Sequence, residues 1–185
     1  RKELKFGAFV KDGSIVVADG NSVVEICGVK ELLIPGPHNL ENALAAAAMA
    51  YFAGIGAESI ARTLRTFRGV AHRIERCGEK NGVFFVNDSK GTNPDAAVKA
   101  VLSFKNIILI AGGYDKGAEY GELTGNFDGH VKELVLMGDT APKIREAAEK
   151  AGFSKIHTVS DMQQAVRVAF ALAAPGDTVQ LGQIR

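Results

Sequence analysis

The second half of the chain alternates short apolar runs with segments of helical spacing, and this alternation constrains the fold more than any other feature. The first of these runs, Val83–Val86, is not interrupted by alternate polar residues, which indicates a strand covered on both faces. Strands that alternate with helices predict right-handed crossovers and a mostly parallel, doubly wound sheet of the α/β class. The predicted strands are Val83–Val86, Ile107–Ile110, Leu134–Met137, Ile156–Val159 and Thr178–Leu181, and the predicted helices are Asp95–Leu102, Pro142–Ala151 and Met162–Ala173.

The beginning of the chain has a different pattern. Short apolar runs from Leu4 to Cys27 are separated by Asp12-Gly13 and Asp19-Gly20, two dipeptides that suit hairpin turns with positive φ. This segment is therefore predicted to form an antiparallel meander.

Two helices are predicted after the meander. Pro35-Gly36-Pro37 interrupts the chain before a helical stretch from about residue 39 to residue 52. A second helix, about Glu58–Phe67, has an apolar face, and Gly69 is predicted to cap its end. The change of pattern after this helix predicts two domains, residues 1–70 and 71–185.

Composition restricts the partners and the compartment. The hydrophobic fraction of 46% is sufficient for a packed core, and the net charge of +1 gives no general footprint for nucleic acid, so an anion site must be local. Cys27 and Cys77 are too few for a disulfide framework and are predicted to be buried, inert thiols in a reducing cytoplasm. The longest mainly apolar stretch, Ala43–Ala57, is shorter than a bilayer span, so no membrane insertion is predicted.

A polar cluster follows the first predicted buried strand directly. Asn87–Asn93, with sequence NDSKGTN, supplies an acid, a cation, amides and hydroxyls, and Asn93-Pro94-Asp95 is typical of a helix start. The free N–H groups and the dipole of that helix would favour an anion, and Lys90 would add a full charge. An ordinary polar loop between a strand and a helix is an equally good explanation from the residues alone.

A second candidate loop, Gly112–Lys116, follows the next predicted strand. Because the two loops would follow adjacent parallel strands, both are expected to face one crevice at the carboxyl edge of the sheet. The two glycines permit close backbone approach, and Lys116 can bind a carboxylate or phosphate, although a solvated lysine in a glycine turn is the ordinary alternative.

Two further groups could complete a site. The side chains of Asn39 and Asn42 would share one face of a helix start and could bind a purine or ribose edge, whereas capping is the preferred explanation of Asn39 alone. Arg73 could clamp a nucleotide phosphate or simply pair with Glu75.

Several familiar motifs do not occur in the sequence. There is no GxxxxGK[ST] phosphate loop, and the early GxGxxG fingerprint of dinucleotide enzymes is absent. HExxH, paired CxxC and the nucleophile elbow are also missing, so zinc hydrolysis and triad chemistry have no support, and no residue is predicted to bind a metal.

Four ordered motifs resemble those of the Mur ligase family, in particular its D-glutamate-adding branch. Their order and approximate spacing match over about residues 33 to 117, and the NDSKGTN block is the most specific. The motifs are PGPHNLENALAA from Pro35, GVAHRIE from Gly69, NDSKGTN from Asn87 and GGYDK from Gly112.

The resemblance implies a Rossmann-like carboxy-terminal domain that binds an amino acid, preceded by the end of a central ATPase domain. It implies an ATP-dependent ligase that first makes an acyl phosphate, with Mg²⁺ between phosphates and carboxylates, and whose substrates are ATP, D-glutamate and a UDP-linked muramoyl-alanine. The implied roles are nucleotide binding by Asn39, Asn42, Arg73 and Asp88, neutralisation of the reacting phosphates by Lys90, and binding of D-glutamate by Thr92 and Lys116.

The chain also departs from the family pattern. Gly91 stands where the family commonly has Ala, a change expected to loosen the turn, and residues 181–185 do not resemble the usual Ser-Pro-rich segment. The resemblance implies that the UDP-binding domain, the phosphate loop, the metal ligands and a carbamylated lysine would all precede Arg1. A non-catalytic nucleotide- or acidic-ligand-binding module, another Mur ligase and a folylpolyglutamate synthase-like enzyme remain as alternatives.

Overall fold

The computed structural model of the protein describes residues 4–182, so Arg1 and residues 183–185, which bear on the expectations about the chain ends, lie outside it. The chain divides into two compact units, one up to Gly69 and the other from Val70.

The first unit begins with the predicted antiparallel meander, which is confirmed. Its strands pair in the order β1-β2-β3, and both Asp12 and Gly13 have positive φ in the first hairpin turn (49° and 82°). In the second turn, the carboxylate of Asp19 accepts hydrogen bonds from the N–H groups of Asn21 and Ser22. The strands are β1 (Phe6–Lys11), β2 (Ser14–Asp19) and β3 (Val23–Gly28), followed by a 3-10 turn at Val29–Glu31.

Two helices, α1 (Pro37–Phe52) and α2 (Ala57–Thr66), share a buried cluster with this sheet. The prediction that Gly69 caps α2 is wrong. The helix ends at Thr66, and the capping residue is Phe67, whose N–H donates to the carbonyl of Thr63.

The second unit contains the predicted doubly wound sheet. Its strand order is β4-β5-β9-β6-β7-β8, with β4 antiparallel to β5 and the remaining neighbours parallel. The strands are β4 (Glu75–Lys80), β5 (Val83–Asp88), β6 (Ile107–Gly112), β7 (Val131–Met137), β8 (Ile156–Thr158) and β9 (Thr178–Gly182).

Helices cover both faces of this sheet, as the alternation predicts. On one face, Ala165 and Ala169 of α6 share a buried cluster with Ile108, Ile110 and Val179. The opposite face carries a larger buried cluster that includes residues of the other three helices. The helices are α3 (Pro94–Val101), α4 (Gly121–Gly125), α5 (Ala141–Lys150) and α6 (Met162–Leu172).

The edge strand β4 corrects one expectation about the cysteines. Cys27 is buried as predicted, but Cys77 lies on β4 and is exposed. Because β4 has β5 on one side only and carries mainly exposed residues, it does not bury the thiol.

Candidate functional site

The two candidate loops begin at the same edge of the sheet but not on adjacent strands. Strand β9 lies between β5 and β6, so the expectation of adjacency is wrong. Gly182 at the end of β9 pairs with Asp88 on one side and with Ala111 on the other. The loops therefore start at one level, about 10 Å apart given two inter-strand spacings.

A cavity of about 190 Å³ lies at this edge. Ser89 of the first loop and Gly112 and Gly113 of the second line it, so both loops border one cavity, as predicted. Lys90 and Lys116 are exposed and are not among its lining residues, so their convergence on one ligand stays a prediction. The lining residues are Ser89, Ile110, Ala111, Gly112, Gly113, Met137, Met162, Leu181 and Gly182.

Asp88 is a buried carboxylate at the start of the first loop. Its side chain is only 5% exposed, and Oδ1 accepts a hydrogen bond of 3.1 Å from the N–H of Ile74. Burial raises the pKa of Asp88 to about 6, and the Ile74 N–H and the charge of Arg73 offset this rise only in part. A carboxyl with this pKa is mainly ionised at pH 7, and the charged form is destabilised because burial removes water from around it.

The turn that faces Asp88 is strained. His72 and Ile74 have positive φ (65° and 46°). This conformation is uncommon for any residue other than glycine and is especially rare for a β-branched residue such as Ile74. Such residues cost of the order of 1–3 kcal/mol each and persist where surrounding contacts hold them. Here the contacts are the bond from Ile74 to Asp88 and a bond from the N–H of Lys90 to the carbonyl of His72 (3.0 Å). Arg73 lies between the two strained residues, so the first loop fixes the backbone that carries this arginine.

The carboxylate of Glu75 contacts His72. This contact helps to decide whether Arg73 pairs with Glu75 or is available to bind a phosphate. The N–H of His72 donates to Glu75 Oε2 at 2.8 Å, and Nδ1 of the same histidine lies 3.7 Å from that oxygen. Among the described residues, no ion pair joins Glu75 to Arg73. Simple pairing with Glu75 is therefore not what holds Arg73 in this structure.

His72 and Asn87 are structural members of the site to which the sequence motifs alone assigned no role. Nδ2 of Asn87 lies 3.0 Å from Nδ1 of His72, and Oδ1 of Asn87 accepts from the N–H of Ser89. The sequence did contain a signal for both residues, because His72 lies in the motif around Arg73 and Asn87 lies in the motif around Lys90. Only the hairpin between β4 and β5 brings those motifs together.

The predicted helix start after the first loop is confirmed. Asn93 is the N-cap of α3, its Oδ1 accepts from the N–H of Ala96 at 2.8 Å, and Pro94 occupies the first turn. Lys90 is exposed and Thr92 is half-buried in the segment before this cap. The helix N-terminus and the Lys90 charge thus follow the same strand end, as the predicted anion site requires.

Gly91 has a specific role in this loop. A Cβ built at Gly91 would lie 2.4 Å from Asp88 Oδ2 and 3.1 Å from its Cγ. The N–H of Gly91 also donates to the carbonyl of Asp88. The glycine therefore makes room for the buried carboxylate in its observed position.

The second loop is built differently. At Gly112 a Cβ would lie 1.8 Å from the carbonyl oxygen of Met137, so the close approach expected there is to the protein backbone. The carbonyl of Gly113 accepts from the N–H of Thr140. Beyond the glycines, Asp115 forms an ion pair with Lys143 of α5, and Lys116 is exposed.

Asn39 and Asn42 lie in the first unit. The expectation that Asn39 caps α1 is wrong, because the helix starts at Pro37 with Gly36 as its N-cap. Instead, Nδ2 of Asn39 donates to the carbonyl of Pro35 at 2.7 Å, and its Oδ1 lies 3.3 Å from Nδ2 of Asn42. The two amides share one helix face, as predicted, and each fixes the orientation of the other.

Residues 4–182 contain neither a cluster of metal-binding side chains nor a membrane-spanning helix. No group of three or more His, Cys, Asp or Glu side chains in this part of the chain is arranged to hold a metal ion. None of its helices combines the length and the apolar character needed to cross a bilayer.

Comparison with known proteins places the second unit in one family. The family model described as "Mur ligase, glutamate ligase domain" matches residues 72–181. The UDP-N-acetylmuramoylalanine-D-glutamate ligase of Thermoanaerobacter sp. (strain X514) is 51% identical over 181 residues, which is 96% of this chain and 40% of that enzyme. The enzyme of the same name from Clostridioides difficile (strain 630) is 42% identical over 97% of this chain. The chain spans about 40% of the length of these curated relatives.

Solved structures share the fold at much lower identity. The UDP-N-acetylmuramate-alanine ligase of Thermotoga maritima superposes with a TM-score of 0.68 at 20% identity, covering 92% of this chain and 39% of its own. A bifunctional folylpolyglutamate synthase/dihydrofolate synthase from Yersinia pestis CO92 gives a TM-score of 0.65 at 18% identity, covering 93% of this chain and 41% of its own. The fold is thus common to enzymes with different substrates, and function has to be argued from the site.

Proposed function

Because this chain belongs to the Mur ligase family, we propose that it is part of an ATP-dependent ligase that joins D-glutamate to UDP-N-acetylmuramoyl-L-alanine in peptidoglycan precursor synthesis. The observation that carries the proposal is the 51% identity, over 96% of this chain, with an enzyme of that name. The NDSKGTN loop supports it, because a lysine and a capped helix start follow the same strand end.

The proposed reaction has two steps. A carboxylate oxygen of the UDP-linked substrate attacks the γ-phosphorus of ATP, which gives an acyl phosphate and releases ADP. The amine nitrogen of D-glutamate then attacks the acyl carbon, the C–O bond to phosphate breaks, and the amine loses a proton as the amide forms. Both steps depend on alignment and charge neutralisation more than on a protein nucleophile.

Lys90 is the proposed catalytic residue. Its backbone is held by the bond from its N–H to the carbonyl of His72, while its side chain is exposed and can reach a ligand. Its ammonium group would neutralise charge on the phosphoryl group in transfer, a role in which a preorganised cation lowers the barrier.

Four residues are proposed to bind the nucleotide: Arg73, Asp88, Asn39 and Asn42. Arg73 suits a phosphate, because its guanidinium is exposed and its backbone is fixed by the strained turn. Asp88 suits a ribose hydroxyl rather than a phosphate, because a carboxylate accepts hydrogen bonds and repels another anion. The paired amides of Asn39 and Asn42 suit the edge of adenine.

Thr92 and Lys116 are proposed to bind D-glutamate. A hydroxyl and an ammonium group are complementary to a carboxylate, and the two residues belong to the loops that border one cavity. The gap of about 10 Å between the loop origins, across the end of β9, leaves room for a small amino acid.

Mg²⁺ is proposed to enter with ATP. It would screen the phosphate charges, and it favours oxygen ligands from phosphates and carboxylates. Residues 4–182 contain no group of three or more suitable side chains, so no residue of this chain is assigned to the metal.

The domain assignment completes the proposal. Residues 1–70 would be the carboxy-terminal part of a central ATP-binding domain, and residues 71–185 would be a Rossmann-like domain that binds the amino acid. The remaining partner would be the amino-terminal part of the same protein, which accords with the share of the relatives' length that this chain covers. A cytoplasmic location is proposed because ATP and UDP-linked substrates are supplied there.

The test is an assay of the full-length protein that contains this chain. Phosphate release from ATP should require both D-glutamate and UDP-N-acetylmuramoyl-L-alanine, and L-glutamate should not replace the D-isomer. The 185-residue chain alone should be inactive. Activity with a folate substrate, or with another amino acid in place of D-glutamate, would contradict the assignment, and so would an intact protein that binds ATP without turning it over.

A further inference from the structure

The loop that carries Lys116 has little rigidity of its own. Gly112, Gly113 and Gly117 have positive φ (143°, 151° and 80°), and glycine is the residue that loses the most conformational freedom on ordering. Tyr114, inside the loop, is 67% exposed. No described residue forms an ion pair or a hydrogen bond with the side chain of Lys116. Whatever orders this loop must therefore act on a neighbouring residue.

Asp115, which directly precedes Lys116, makes the side-chain contacts. Its Oδ2 lies 2.5 Å from Nζ of Lys143, and its Oδ1 accepts from the N–H of Gly117 at 2.8 Å. One carboxylate thus ties the loop to helix α5 and closes a short turn around Lys116. The ion pair lowers the pKa of Asp115 and raises the pKa of Lys143, so both groups are charged at neutral pH.

Lys143 stands at an unfavourable place for a lysine. It lies in the first turn of α5, which contains no acidic residue and whose N-cap, Thr140, makes no side-chain capping bond. A cation at this position interacts unfavourably with the helix dipole, whereas the charge of Lys150 in the last turn of the same helix interacts favourably with it. A residue that breaks a local rule is expected where a functional contact compensates for it. The compensating contact here is Asp115.

We propose that Lys143 is a positioning residue that acts through Asp115 to hold Lys116 in the orientation that binds the acidic amino acid. The pairing with Lys143 orders a glycine-flanked loop before the ligand arrives. This inference rests on the proposed role of Lys116. It adds a residue on α5 to the site, although Lys143 itself does not touch the substrate.

The first part of the test measures order in the loop and does not depend on activity. In the full-length protein, Lys143→Met should speed amide exchange in a peptide covering residues 112–118, measured by mass spectrometry, roughly twofold to fivefold. Lys150→Met is the matched control, because it removes the exposed pair with Glu146 on the same helix and should leave that peptide unchanged. Unchanged exchange in Lys143→Met would overturn the proposal, whatever the ligase activity.

The second part measures the site. Lys143→Met and Asp115→Asn should each raise the KM for D-glutamate roughly twofold to fivefold with little change in the KM for ATP, and Lys143→Arg should keep the parent value. Lys116→Ala should raise the KM for D-glutamate more than either. If Lys116→Ala changes this KM and Lys143→Met does not, the positioning role is wrong while the proposed function stands. If Lys116→Ala has no effect, the assignment of Lys116 fails and the positioning proposal fails with it.

Discussion

The two loops at the carboxyl edge of the sheet are held by opposite means. The loop after β5 is fixed by a buried carboxylate, Asp88, which braces a strained turn, and it runs into the capped helix α3. The loop after β6 is rich in glycine and exposed, and its side-chain anchor is the ion pair between Asp115 and Lys143, whose side chains are 29% and 50% exposed. The first loop is the rigid one because of burial, whereas the second is held by the Asp115–Lys143 pair at the surface and by a backbone bond from the N–H of Thr140 to the carbonyl of Gly113.

The difference matches the two tasks proposed for the site. Phosphoryl transfer gains most from groups that do not reorganise during the reaction, which favours a loop fixed by burial and strain. A site for an amino acid that must enter and leave tolerates a loop whose order depends on a few weaker, exposed contacts. Disturbing the first loop should therefore act mainly on kcat, and disturbing the second mainly on the KM for D-glutamate.

The largest expected effect is that of Lys90→Ala in the full-length protein. Because Lys90 lies on the rigid loop and is proposed to stabilise charge in the transition state, kcat should fall roughly 100- to 1,000-fold. The KM values should change much less. Lys99→Ala, which removes an exposed lysine on the helix that follows, is the control and should leave kcat unchanged. A kcat for Lys90→Ala within a few-fold of the parent would remove the distinction between the loops.

The two loop carboxylates should respond to pH with opposite signs. Burial raises the folded pKa of Asp88 from 3.8 to about 6, so the folded state holds its proton more tightly than the unfolded state. Its contribution to stability therefore falls as the pH rises from about 4 to about 6. The folded pKa of Asp115 is lowered, so its contribution is present above pH 4 and is lost as the pH falls further.

Asp88→Asn tests the expectation that the buried charge of Asp88 lowers stability as the pH rises. The amide oxygen of Asn can still accept from the Ile74 N–H, but no charge is buried, so the variant should gain stability relative to the parent at pH 7, by roughly 3 kcal/mol at most. The two proteins should be about equally stable near pH 4. Urea denaturation from pH 4 to pH 8 measures the difference. A variant that is less stable than the parent at pH 7 would mean that the charge of Asp88 stabilises the turn.

Much of this arrangement follows from local sequence. The strands β5, β6 and β7 are predicted by short apolar runs without polar alternation, and α3 is predicted by the start signal Asn93-Pro94. The edge strand β4 was missed because its sequence, ERCGEK, is charged and exposed. It forms through a hairpin with β5 around Asn81-Gly82, both with positive φ, a dipeptide that is itself a hairpin signal.

Other parts could not be predicted from local pattern. The insertion of β9 between β5 and β6 joins residues about 70 to 100 positions apart, and no periodicity encodes it. The short helix α4 contains glycine at both ends, which lowers its intrinsic propensity. The pairing of Asp115 with Lys143, and the bracing of Ile74 by Asp88, are likewise long-range contacts between residues that look ordinary in sequence.

Glycine-to-alanine substitutions should affect the two loops differently. Gly91→Ala should displace the Asp88 carboxylate, since a Cβ there lies 2.4 Å from Oδ2 and the carboxylate is buried. Gly117→Ala meets nothing within 4 Å, and its cost is the positive φ of 80°. We expect Gly91→Ala to cost roughly 1–3 kcal/mol of stability and to lower kcat. We expect Gly117→Ala to cost about 1 kcal/mol, because an alanine disfavours this left-handed conformation, and to raise the KM for D-glutamate.

Denaturation midpoints and steady-state kinetics of both variants measure these effects on stability, kcat and KM. If Gly91→Ala left stability, kcat and the pH response of the protein unchanged, the carboxylate of Asp88 could move freely, and the first loop would not be rigid in the sense proposed.

The smallest expected effect separates the stability of a helix from the function of its N-terminus. Asn93 caps α3 beside the rigid loop, and Asp161 caps α6 with the same geometry, since each side chain accepts a bond of 2.8 Å from the N–H group three residues ahead. Replacing either residue with Ala should lower the free energy of unfolding by about 1 kcal/mol. Because both changes fray one helix end, their effects on stability should be similar. Only Asn93→Ala should also lower kcat, by a few-fold, since α3 starts directly after Lys90 and Thr92 and its free N–H groups would no longer be held in place. Equal kinetic effects of the two variants would show that the start of α3 supports the sheet but does not contribute to the site.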